Sequence, residues 1–221
     1  MDEENCATAQ RQIPYFANLD DMIDSGLDLE AALEAAPAFG IDCCNWADEY
    51  PYRPHATVRM ARGDRFLCCA FRTDSCRMAA LTDTDLGPVS ADSCVEIFLR
   101  PQSSDEYWNF EFNCIGCLNA SHRRTRPEAV RLDDAERAAV RRHPSAGTVP
   151  FGERQADGAW RLAVAIPLEL MGIDGHGVRL DGNIYACASG LSEPYYLSHA
   201  PIATPHPDFH RPEFFVPFTL L

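Results

Sequence analysis

DSCVEIFLRP, from Asp92 to Pro101, and YWNFEFNCIG, from Tyr107 to Gly116, are the runs whose reading decides the fold. Successive side chains of a β-strand point to opposite faces, so Val95, Ile97 and Leu99 share one face of the first run and Cys94, Glu96 and Phe98 the other. The second run divides the same way. Trp108, Phe110, Phe112 and Cys114 fall on one side, Tyr107, Asn109, Glu111 and Asn113 on the other. A strand with an apolar face and a wholly polar face suits polyol recognition. A pyranose has hydroxyls around its rim and an apolar C–H face, and so needs paired donors and acceptors beside a flat aromatic. Tyr107, Asn109 and Glu111 supply those parts.

Strand patterning continues outward from these runs. ATVRMAR and RFLCCAFR, on either side of Gly63-Asp64, read as a hairpin. Trp160, Leu162, Val164 and Ile166 alternate with Arg161, Ala163 and Ala165, and Gly182 to Ser189 and Glu213 to Leu221 supply further strands. Ile41 to Trp46 is expected as a strand, and Thr73 to Ala91 as a loop. Helices are few. DLEAALEAA, Asp28 to Ala36, is closed by Pro37, and a surface helix is expected between Arg123 and Arg142. In that helix Asp133 and Glu136 are spaced as a capping box, Arg141, Arg142 and His143 lie at the far end, and Pro144 is the stop. The pattern predicts an all-β chain: an antiparallel β-sandwich, jelly-roll or immunoglobulin-like in its layering, with one or two short surface helices. Its 221 residues are expected to form one domain, with residues 1–37 as an N-terminal extension packed on it.

Charge and composition exclude several classes. The formal net charge is −14, and all 19 basic residues are arginines, which argues against a nucleic-acid partner. No stretch approaches the roughly 20 apolar residues needed to cross a bilayer, so no membrane partner is expected. The opening MDEENCATAQ has neither a basic n-region nor an apolar h-region, and the expectation is a cytoplasmic chain. The ten cysteines include the adjacent pairs Cys43-Cys44 and Cys68-Cys69 in strand-like runs, which reads as buried thiols rather than a disulfide framework. There is no GxGxxG opening a helix, no GxxxxGK[ST], no GxSxG and no HExxH.

The chain resembles the family 9-like carbohydrate-binding modules, β-sandwiches best known as appendages of xylanases. The likeness rests on DSCVEIF, NFEFNCIG, WRLAVAIP at Trp160 to Pro167, and LSHAPIATPHPDFHRPEFF from Leu197, and it spans Trp46 to Leu221. It implies a sandwich that binds an oligosaccharide or polysaccharide, alongside glycoside hydrolases, without a catalytic centre. Members of the family clamp a sugar between two tryptophans. Motif matching puts Val89 near the first of these and Phe209 near the second, so this chain departs from the clamp: either the ligand differs, or aromatics such as Tyr107, Tyr195 or Tyr196 substitute. The family's strand glutamate falls on Glu96, and Glu111 stands where xylanase-appended modules carry arginine, exchanging a donor for an acceptor. The likeness also implies structural calcium, for which Asp83, Asp85 and Asp208 are the loop carboxylates at hand.

Each candidate has a plain competitor. Trp108 beside Phe110 and Phe112, and Trp160 beside Leu162, read as core, whereas Trp46 between Asn45 and Asp48 stays open as a stacking platform. His210, Arg211 and Glu213 either close the site or form a salt-bridged corner beneath it. The expected ligand-binding set is Glu96, Tyr107, Asn109, Glu111 and Asn113, with Trp46, Phe209, His210 and Arg211. The alternative function is a glycoside hydrolase with Glu96 and Glu111 as its paired carboxylates, which must stand about 5 Å apart for retention or roughly 6.5 to 9.5 Å for inversion. Cys114 and Cys117 have CxxC spacing but lack a comparable second pair, although Cys187 or a histidine could contribute, so no metal site is expected.

Overall fold

A computed structural model describes residues 11–221; Met1–Gln10, which hold the acidic opening and Cys6, lie outside the described residues. The alternating runs pair as their patterns require. Cys94–Pro101 and Tyr107–Asn113 are antiparallel neighbours, with Glu96 opposite Glu111 and Phe98 opposite Asn109. Val178–Cys187 lies along the other edge of Cys94–Pro101 and puts Cys187 opposite Cys94 and Tyr185 opposite Glu96. Leu118–Arg123 and Val130–Arg131 extend this sheet past Tyr107–Asn113. On its far side, Val178–Cys187 pairs first with Val216–Leu220 and then with Tyr196–Ser198, and Arg11–Ile13 adds a parallel strand to Val216–Leu220. A second, antiparallel sheet runs Arg141–Pro144, Trp160–Pro167, Phe66–Asp74, His55–Arg62, Ala38–Gly40. Arg77–Ala80 and Phe151–Gln155 form a separate two-stranded ribbon.

The two sheets meet in one apolar layer. Val95, Ile97, Phe110, Phe112 and Ile184 from the first pack with Val58, Met60, Leu67, Phe71, Leu162 and Val164 from the second. Each such side chain contributes ~1.5–3 kcal/mol on burial. This is the expected sandwich.

Both outer faces of the sandwich are also covered. Helices Leu19–Asp24 and Leu29–Ala32 bring Leu19, Leu29 and Leu33 down on Cys68, Ala70, Ala163 and Ala165, whose small side chains leave room for them. Asp28 starts the second helix by accepting the Glu30 and Ala31 amides. Gly63 lets the expected hairpin turn close on the first helix, since a Cβ there would collide with the Asp20 carboxylate that receives the Arg65 amide. Across the other outer face, Trp46 and the segment carrying Ile202 and Phe209 gather with Val89, Phe98, Tyr107 and Tyr185. The polar face of the two deciding strands thus lies under a roof.

Several local readings are corrected. Ile41 to Trp46 does not form a strand: the strand is Ala38–Gly40, and the later segment contributes a bridge from Cys43 to Ser198 because Asn45 spends its side chain on Ser198 and Ile202. The capping box of Asp133 and Glu136 is present, but the helix ends at Ala139, and Arg141–Pro144 is an edge strand on Trp160–Pro167. An edge tolerates Pro144, which has no N–H to offer a further neighbour. The expected loop from Thr73 to Ala91 contains the Arg77–Ala80 strand, and Leu118–Arg123 and Phe151–Gln155 are strands the pattern did not reveal. Among the described residues the cysteines are free thiols, and Cys68 and Cys69 face opposite sides of their strand, towards the helices and the inter-sheet core respectively. Among the described residues no helix is long and apolar enough to cross a membrane.

Trp160 is 3% exposed and packs in the inter-sheet layer. Trp160→Ala is expected to cost roughly 3–5 kcal/mol, read as a lowered urea midpoint; unfolding that matches wild type would place the indole outside the core.

Candidate functional site

Under the roof lies a cavity of about 200 Å³. Glu96 and Glu111 form its sheet wall, Ser90, Cys187 and Ser189 one end, and Arg126, Tyr196 and Pro207 to His210 the remainder. Cross-strand register places Glu96 beside Glu111 on one wall.

The two carboxylates are held differently. Glu111 accepts from Asn109 at 3.0 Å on one oxygen and from Asn119 at 2.9 Å on the other. Asn109 is oriented in turn by the Ser121 hydroxyl at 2.8 Å, to which Arg123 also donates. Burial raises the Glu111 pKa, while these amides and the Arg123 and Arg126 charges act to lower it. Glu96 has poorer company, hydrogen-bonding to the Cys187 thiol at 3.4 Å and the Cys94 thiol at 3.9 Å. Burial above all, with Cys187 and Glu111 beside it, pushes its carboxyl well above the usual range.

His210 closes the wall opposite. Its Nδ1 is 3.0 Å from the Tyr107 hydroxyl, its Nε2 is 3.8 Å from Glu111, and its ring lies on Phe98. Burial, with Arg123 and Arg126 nearby, lowers its pKa to about 3, so the ring is neutral at neutral pH. Tyr107, pushed up to about 12 by burial, stands beside Nδ1 as a neutral phenol.

Side chains standing in for backbone pairing hold the roof. Asn183 donates to the Ala200 carbonyl at 3.1 Å and accepts its amide at 2.9 Å. Asn45 accepts the Ile202 amide, and the Trp46 indole donates to Thr204 at 2.8 Å. Tyr185 stacks on Phe209 with centroids 4.2 Å apart and donates to its carbonyl. Arg126 pairs with Asp208 at 3.0 Å.

Of the residues expected from the sequence, Glu96, Glu111, Phe209 and His210 line the cavity. Tyr107 stands behind His210 and Asn109 behind Glu111. Asn113, on the same strand face, is diverted to the strand end, where it donates to Thr82 and Asp92 and receives the Cys117 amide. Trp46 is 6% exposed and backs Tyr196 and Phe209 instead of offering a free face. Arg211 is turned away, paired with Glu213 at 2.8 Å. Of the substitute aromatics Tyr196 lines the cavity, whereas Tyr195 is core. Arg126, Ser90, Cys187, Ser189 and Pro207 were not anticipated as lining residues; Asp208, raised as a calcium candidate, accepts from Arg126, and Asp85 accepts from Arg142. Cys114 sits in the inter-sheet core with its sulfur on the Ala79 carbonyl, so the CxxC spacing does not make a ligand pair.

A family model described as carbohydrate-binding family 9 matches residues 26–220. The chain belongs to carbohydrate-binding family 9. Carbohydrate binding without catalysis is the function class that membership carries. This family 9 chain is similar to a solved Bacteroides uniformis protein described as carbohydrate-binding, with 27% identity, TM-score 0.83, and coverage of 95% of this chain and 98% of that one. It also shares its fold with a family 9 carbohydrate-binding module of Caldicellulosiruptor kristjanssonii. The complex with cellotriose is 8% identical, with TM-score 0.58 over 96% of this chain and 93% of that one. The complex with glucose is 10% identical, with TM-score 0.59 over 95% and 94%. A search of curated proteins finds no match to the family 9 chain.

The neutral, buried His210 makes stability pH-dependent. The unfolded chain takes up a proton near 6.5 while the folded one waits until about 3, so the folded state binds fewer protons in that window and loses stability as pH falls through it. In urea unfolding from pH 7 to pH 4, the stability gap between wild type and His210→Gln is expected to shrink; a constant gap would contradict the buried neutral ring.

Proposed function

We propose that the cavity binds one ring of a neutral saccharide, and that the chain recognises a glucan- or xylan-type oligosaccharide or polysaccharide without cleaving it. The observation that carries this reading is the lining. Glu96 and Glu111 offer acceptors, Arg126, Ser90 and Ser189 offer donors, His210 offers a neutral imidazole edge, and Tyr196 and Phe209 offer flat apolar surface. A volume of about 200 Å³ is small beside the roughly 300–1,000 Å³ of drug-sized clefts, and suits a single ring. The ligands of the Caldicellulosiruptor complexes, glucose and cellotriose, point to the same class. One or two stacked rings at ~1 kcal/mol each, set against the cost of ordering the sugar, give modest affinity.

Calorimetric titration with glucose, cellobiose and xylobiose tests the reading, each mixture being analysed afterwards for cleavage. Binding without cleavage is expected, and Glu111→Gln should weaken it by about tenfold, the loss of one charge-assisted hydrogen bond. Unchanged affinity in a folded Glu111→Gln protein would remove this wall from the site, and cleavage would replace binding with hydrolysis.

A further inference from the structure

Two sulfur donors meet the Glu96 carboxyl oxygen at one end of the cavity. Cys94 and Glu96 are two apart on one strand and share its face, and Cys187 is the register partner of Cys94 on the next strand. Sheet geometry alone therefore brings two thiols and a carboxylate together. All three ligand atoms lie within 4.8 Å of one another. Among the described residues this is the group of three whose geometry suits a metal ion.

The spacing matches a specific coordination. Zinc bonds of about 2.3 Å to sulfur and 2.0–2.2 Å to oxygen, held at tetrahedral angles, put the sulfur and oxygen ligands about 3.6 Å apart. The Glu96 oxygen lies 3.4 Å from the Cys187 sulfur and 3.9 Å from the Cys94 sulfur, on either side of that separation. Calcium and magnesium prefer oxygen alone, whereas two thiolates favour a thiophilic ion.

A second observation is the set of partners around Glu96. Glu96 is 3% exposed, its hydrogen-bond partners are the two thiols, and its charged neighbour across the strand pair is another carboxylate, Glu111. A buried carboxylate is ordinarily matched by an arginine, a histidine or a set of amide donors; Glu111 has such amides and Glu96 has not. Cys187 and Glu96 also line the cavity, which gives an ion an entry path and leaves its fourth position open towards the sugar space.

We propose that Cys94, Cys187 and Glu96 form a binding site for a thiophilic divalent cation, zinc in particular, at the inner end of the carbohydrate cavity. Binding displaces the protons of the two thiols and of the Glu96 carboxyl to solvent and replaces the thiol–carboxyl hydrogen bonds with metal–ligand bonds; no redox step is involved. A cation there also ties up Glu96, so metal and sugar draw on one acceptor.

The test is titration of the reduced, metal-free full chain with Co²⁺ under anaerobic conditions, followed by Zn²⁺. One equivalent of Co²⁺ is expected to give the thiolate-to-cobalt charge-transfer band in the near ultraviolet with the intense visible bands of tetrahedral cobalt, and Zn²⁺ should bleach both. Cys187→Ser, at the cavity wall, should lose the charge-transfer intensity, as should Cys94→Ser, while Cys76→Ser, an exposed thiol elsewhere, should keep it. Circular dichroism of each variant separates loss of the site from loss of the fold. No charge-transfer band in folded wild-type protein would overturn the proposal whatever the variants do, and so would a band that survives in folded Cys187→Ser.

Discussion

A direct cross-strand pairing of two carboxylates on a buried sheet face, Glu96 opposite Glu111, is the constraint on which the rest of this structure depends. Two acidic groups taken out of water side by side cannot both stay charged without help, because desolvation and mutual repulsion both favour the neutral form. The protein meets that constraint asymmetrically. Amide donors from Asn109 and Asn119 surround Glu111, with Arg123 and Arg126 nearby, while Glu96 meets two thiols. The same burial keeps His210 neutral, which adds no second charge to the wall.

Burial of that polar face depends on a roof with little regular structure of its own. Backbone groups of such a segment must still find partners, and here buried side chains provide them. Asn183 pairs with both backbone groups of Ala200, Asn45 takes the Ile202 amide, and the Trp46 indole takes the Thr204 carbonyl. Phe209 then stacks on Tyr185 and turns towards the cavity beside His210. The position of the roof, and with it the depth of the site, is therefore fixed by three polar anchors and one aromatic stack. Trp46 serves the site through Tyr196 and Phe209, with its own ring face covered.

The sandwich was legible from residue order because a period of two is a strong local signal. Val95, Ile97, Phe110 and Phe112 needed one apolar partner layer, and the Trp160–Pro167 strand offered another such face. Short strands such as Arg77–Ala80 and Arg141–Pro144 carried too few residues to show alternation, and basic residues beside a capping box resembled a helix end. The site was half legible for a related reason. Asn113 shares the face of Glu111, but the strand ends there and its side chain satisfies loop backbone. Arg126 and Ser90 reach the cavity from loops that no period describes.

By itself the sequence determined which strands alternate, which faces are apolar, and that Glu96 and Glu111 project the same way, since these follow from backbone geometry within a few residues. It also set Cys94 two positions from Glu96. Only the tertiary structure decided that Cys187 stands across from Cys94, that Phe209 and His210 fold back over the strands, and that the polar face lines a roofed cavity instead of a flat solvated surface. Strand register and the course of an irregular roof depend on contacts between residues about a hundred positions apart, and their energies are set by burial and pairing that no local pattern records.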